Sequence, residues 1–90
     1  MVTVGATSIE VLPMTSPRRT RYVLRNMSAG GQVITISHGK NKAAVTNEGV
    51  PLYPGEPEYD SDSGGGYLCF DGAIQAISTA AGGILSIYEV

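Results

Sequence analysis

Cys69 and His38 are the only thiol and the only imidazole in ninety residues, and together they would make a nucleophile and its general base. Their settings argue against it. Cys69 lies inside the apolar run Tyr67-Leu-Cys-Phe70, where a thiol is expected to be buried and inert, and His38 precedes Gly39 at the end of an apolar run, the place of a turn residue. A second candidate is Asp60-Ser-Asp62-Ser-Gly-Gly-Gly66 with Asp71, whose acids at relative positions 1, 3 and 12 and glycine at 6 follow a calcium-loop spacing. Gly at position 5, the shorter Asp at position 12 and strand-like flanks point instead to a solvated loop. The glycines also lack the Lys-Ser/Thr that completes a phosphate-binding loop. Asn26-Met-Ser28 spells a glycosylation sequon, read as chance because no secretion signal accompanies it. The expectation is no catalytic set, no metal and no cofactor.

Charge carries more information. The stretch Ser16-Pro-Arg-Arg-Thr-Arg-Tyr-Val-Leu-Arg-Asn26 holds four arginines within eight positions, in a chain of net charge −2. Residues 1–42 contain all six basic residues against the single acid Glu10, a net of +5. Residues 43–90 contain seven acids and no lysine or arginine, a net of −7. On a strand, Arg19, Arg21, Val23 and Arg25 share one face and Thr20, Tyr22, Leu24 and Asn26 the other, so the arginines form a stripe away from the core. Three readings compete for the stripe: a solvated face, a contact with acidic residues of a neighbouring subunit, and nucleic acid. The low pI of about 5.1 and the lack of an aromatic RNA-binding signature weaken the last. As contact residues the reading names Arg18, Arg19, Arg21 and Arg25, with Glu56, Glu58, Asp60 and Asp62 as their partners across the interface.

The elements that must position these residues are strands. Val, Ile, Thr and Tyr recur in short runs broken by Gly, Pro, Asn, Asp or Ser. Strands are expected at Ser8–Leu12, Thr20–Asn26, Val33–Ser37, Tyr67–Phe70, Ala73–Ser78 and Ile84–Glu89. A weaker one is expected at Lys42–Thr46, and edge strands at Val50–Tyr53, which Pro51 demotes, and at Glu58–Asp60. Gly72–Gly83 also carries a helical spacing in Ile74 and Ile77, but Ser78, Thr79 and the flanking glycines favour a strand. On the last run Ile84, Ser86 and Tyr88 oppose Leu85, Ile87 and Glu89, so both faces are expected to be covered. Eight or nine short strands at this spacing define an all-β chain, a small antiparallel β-sandwich with a jelly roll as one form of it.

Length bounds the rest. Ninety residues allow one domain over 1–90 with one modest core, and segment 1–7 is polar and small enough to serve as an N-terminal arm. With one cysteine and one histidine there is no internal disulfide or structural zinc, so association is the natural source of added stability. No apolar run approaches a membrane span and no signal peptide is evident, which gives the expectation of a soluble protein made in the cytosol.

The order of these pieces, Arg18-Arg-Thr-Arg-Tyr-Val-Leu-Arg-Asn26, then Gln32-Val-Ile-Thr-Ile-Ser37, the turn Pro51-Leu-Tyr-Pro-Gly55, Gly72-Ala-Ile-Gln-Ala-Ile-Ser78 and Leu85-Ser-Ile-Tyr-Glu-Val90, resembles small virion structural proteins of bacterial viruses. That resemblance implies a non-enzymatic capsid decoration (cement) or vertex (penton) protein in the virion. Its partners would be copies of itself and a major capsid protein; a head-fibre or tail component and a nucleic-acid or carbohydrate-binding module are the alternatives.

Overall fold

The computed structural model describes residues 1–13, 19–39, 44–45, 48–63, 66 and 68–90. Arg18, Lys40, Lys42, Tyr67 and most of the expected strand at 42–46 lie outside the described residues. Eight strands are present among the described ones: β1 (Val2–Val4), β2 (Ile9–Leu12), β3 (Arg21–Asn26), β4 (Ile34–His38), β5 (Val50–Leu52), β6 (Pro57–Ser61), β7 (Ile74–Ser78) and β8 (Gly83–Glu89). The ambiguous Gly72–Gly83 segment contributes β7, a strand.

The strands form two four-stranded antiparallel sheets, ordered β1-β8-β3-β6 and β2-β7-β4-β5. The pairs β1 with β8, β2 with β7, β3 with β6 and β4 with β5 nest inside one another, and the pairs β3 with β8 and β4 with β7 join them into sheets. This nesting is the strand order of a jelly roll. Ninety residues suffice because each strand is only three to seven residues long. The two strands expected at edges, β5 with Pro51 and β6 with Pro57, are edges. There a residue without an N–H costs no ladder bond.

Alternation places Val4, Tyr22, Leu24 and Leu85 of the first sheet against Leu12, Ile34, Ile36, Leu52, Ile74 and Ala76 of the second, all buried in one core. Cys69 joins that core, as expected for an inert thiol.

Three expectations give way. The arm at 1–7 is instead tied into its own domain: Val2–Val4 pairs with β8, and Val4 is fully buried. The strand expected at Tyr67–Phe70 is irregular over its described part, Leu68–Phe70. Carboxylates from the end of β6 take the amides a ladder would use, since Asp62 Oδ1 accepts from Cys69 N at 2.8 Å and Asp60 Oδ2 from Phe70 N at 3.0 Å. Finally, β8 is not covered along its whole length on both faces: Ile84 and Ser86 are half-buried, but Tyr88 on the same face remains 56% exposed.

Candidate functional site

The two sheets present their outer faces differently. On the second sheet Thr35, Ser37 and Gln75 point away from the core by alternation, yet all three are buried. Among the described residues, Ala44 and Gly49, between β4 and β5, contribute to this burial. Ala44 is buried with its amide donating to Ser8 Oγ at 2.8 Å, beside the far edge strand β2, and Gly49 lies against the methyl of Thr35. Ala44 and Gly49 thus sit at Ser8, just before β2, and at Thr35 on β4.

The outer face of the first sheet is not buried in this way among the described residues. Register sets Tyr59, Val23 and Tyr88 side by side on β6, β3 and β8. Tyr59 is 72% exposed. Arg21 and Arg25 flank this row on β3, both exposed, as the alternation of the stripe required. Arg21 has no ion-pair partner among the described residues, and Arg25 donates through Nη1 to Gly55 O at 2.7 Å. On the Arg21 side of the row Thr20, Arg21, Tyr59, Ser61, Asp62 and Val90 line an open depression of about 530 Å³. Arginine and tyrosine are the residue types enriched where proteins meet.

The other expected contact residues divide. Arg19 is turned inward and fully buried, its Nε donating to Glu89 Oε2 at 2.9 Å, Nη1 to the carbonyls of Phe70 and Gly72 and Nη2 to Pro13 O. It precedes β3, so the strand's alternation does not govern it, and it is withdrawn from the stripe. Glu58 and Asp60 also face inward, from the edge strand β6. Glu56 and Asp62 stay exposed, Glu56 Oε1 accepting from Tyr53 N at 2.8 Å. The basic and acidic halves of the sequence are thus interleaved in space, because β3 pairs directly with β6. A contact in which a basic half docks on an acidic half loses its geometric basis; Arg21 lies beside Asp62, and Arg25 near Glu56.

Between the sheets a polar cluster has formed that the sequence did not announce. Glu58 Oε1 accepts from Tyr22 Oη at 2.9 Å and from His38 Nε2 at 2.7 Å, and the two donors are themselves 3.1 Å apart. His38 belongs to β4 on one sheet, Tyr22 and Glu58 to β3 and β6 on the other. Phe70 stands edge-on to the imidazole, with 5.0 Å between ring centroids. Glu58 Oε2 is buried without a hydrogen-bond partner among the described residues. The hydrogen bond to Glu58 holds the His38 pKa above its usual value against the opposing effect of burial, and the Glu58 and Asp60 charges add to the rise. Burial, with the Glu58 charge and hydrogen bond, drives the Tyr22 phenol far upward. His38 is therefore no turn residue, and its Nε2 is engaged with Glu58 and Tyr22, while Cys69 Sγ turns to Phe70 O at 3.5 Å. Asp60 and Asp62, weighed as calcium ligands, hold backbone amides, and the described His, Cys, Asp and Glu form no group of three placed to hold a metal ion. Asn26 of the sequon is fully buried with both ends of its amide bonded.

Comparison of the chain with protein-family models, curated proteins and solved structures finds no match.

Proposed function

We propose that the protein is a non-enzymatic structural subunit of a virion, a decoration or vertex protein that associates with copies of itself at a capsid lattice through the outer face of the β1-β8-β3-β6 sheet. The observation that carries this reading is the contrast between the two outer faces. One buries its outward residues Thr35, Ser37 and Gln75, while the other leaves Tyr59, Val23 and Tyr88 in a row between Arg21 and Arg25. The jelly-roll strand order and the resemblance of the sequence to small virion proteins support the setting.

A second copy is the occupant the charges favour. Each end of the β3–β6 ladder carries an arginine and an acid, Arg21 with Asp62 and Arg25 with Glu56, so a two-fold contact sets arginines of one copy over acids of the other. The tyrosines supply large, rigid contact area at the centre of such a patch.

Light scattering behind size exclusion, at low and at high salt, tests the reading. A discrete oligomer that dissociates in Arg21→Glu and weakens with salt is expected. A monomer of 9.4 kDa at every concentration and salt overturns self-association.

A further inference from the structure

We propose that Tyr22, His38 and Glu58 form a proton-closed clasp between the two sheets, so that the sandwich is held more tightly when His38 is protonated and loosens when it is not. Geometry carries this. His38 is the last residue of β4 and Glu58 lies on edge strand β6, and their 2.7 Å contact crosses from sheet to sheet. Both donors converge on one carboxylate oxygen while the other, Oε2, is buried with no donor among the described residues. Such a carboxylate is poorly solvated and half-satisfied, so it relies on a positive neighbour. An imidazolium supplies that charge; a neutral imidazole supplies at most a hydrogen bond. The His38 side chain is 31% exposed, which leaves the ring in reach of solvent protons.

The other described charged and titratable groups around the clasp act in the same direction or are committed elsewhere. Asp60, on β6 beside Glu58, adds negative charge that favours the imidazolium. Tyr22 stays protonated and donates. Arg19, whose guanidinium carbon lies 5.7 Å from the centre of the Tyr22 ring, is paired with Glu89 on β8. Cys69 is buried in the adjoining segment, and Ile74 of β7, the register partner of His38, carries no charge.

The sign follows from linkage. A histidine whose pKa is higher in the folded than in the unfolded chain contributes stability that is fully present below about pH 6.5 and is lost as pH rises through the folded value. The clasp therefore tightens toward mildly acidic pH and releases as pH rises through the folded value.

Two measurements on the full chain test it. Because His38 is the only histidine, its ring proton resonance gives an unambiguous titration in the native protein. A midpoint above that of a histidine in an unfolded peptide is expected, and a midpoint at or below it overturns the proposal. Urea midpoints are then compared from pH 5.5 to 9 for wild type and His38→Gln, which keeps a donor but cannot titrate. Loss of wild-type stability across this range, absent in the variant, supports the clasp, and parallel profiles overturn it. If His38→Gln fails to fold, Glu58→Gln serves instead: removal of the charge must lower the native His38 midpoint, and an unmoved midpoint overturns the proposal.

Discussion

Arg19 Nε lies 2.9 Å from Glu89 Oε2, a contact between residues seventy positions apart that fastens the entry of β3 to the end of β8. The carboxylate is 38% exposed, so the ion pair itself contributes about 1 kcal/mol or less. The guanidinium matters more for the carbonyls of Pro13, Phe70 and Gly72, which it satisfies in a place closed to water. Each acceptor stranded by its removal costs roughly 1 kcal/mol or more. Arg19→Ala is expected to lose about 3–5 kcal/mol in urea unfolding, within the range for breaking a buried charged network. Glu89→Gln should lose less than about 1 kcal/mol. Equal losses in the two variants would make the ion pair, not the carbonyls, the source of the stability.

Asn26 holds the opposite end of β3. Its Nδ2 donates to Leu52 O at 2.7 Å on the other sheet and to Gln32 O at 2.8 Å, and its Oδ1 accepts from Ser28 N at 2.9 Å. Asn26→Asp keeps the size and the acceptor but sets a carboxylate against two carbonyls. It should destabilise by more than Asn26→Ala, which itself is expected to cost about 2–4 kcal/mol for the groups left unpaired. Urea midpoints at pH 7 decide the order. Convergence of the two variants at low pH, where the aspartate takes up a proton and regains a donor, is the second expected outcome.

Legibility of the sequence followed the physics of each segment. Seven of the expected strands form within a residue or two of their expected bounds, and Pro51 marked β5 as an edge, because these signals are local. The arm at 1–7 misled because Val2-Thr-Val4 is too short a run to read as a strand until β8 is there to pair with it. Arg19 misled because strict alternation was carried two residues past the start of β3. On β6 the pattern is inverted: Glu58 and Asp60 face inward and Tyr59 outward. Inward charges on an edge strand discourage pairing with foreign strands, and nothing in an alternating sequence tells which parity faces the core. The His38–Glu58 contact joins residues twenty positions apart on different sheets, so only the jelly-roll order brings them together.

Gly49 illustrates the cost of burying the outer face of the second sheet. Its φ is +130°, and a Cβ there would lie 2.5 Å from Ile36 O, a backbone atom that cannot swing aside. Gly49→Ala therefore meets both a left-handed backbone and a clash. A loss of about 1–3 kcal/mol is expected. Loss of this contact should also speed hydrogen exchange at Thr35 and Ser37 more than at Leu24 on the other sheet. Uniform acceleration would show that Gly49 acts on global stability alone.

Tyr22 provides a test at the alkaline end. Its phenol is buried, donates to Glu58 at 2.9 Å and has Asp60 nearby, and each of these opposes formation of a tyrosinate. Its pKa is therefore raised above the ordinary value of about 10. A group raised in this way contributes stability below its unfolded pKa and loses it as pH climbs beyond that point. The folded chain keeps the proton, and the unfolded chain releases it. The difference between wild type and Tyr22→Phe in absorbance near 295 nm isolates this one residue from the other tyrosines. No difference signal is expected while the far-ultraviolet circular dichroism remains native, and the signal should appear together with alkaline unfolding. A Tyr22 titration near pH 10 in a chain still folded would mean that water reaches the phenol, and would place Tyr22 outside the buried cluster it shares with His38 and Glu58.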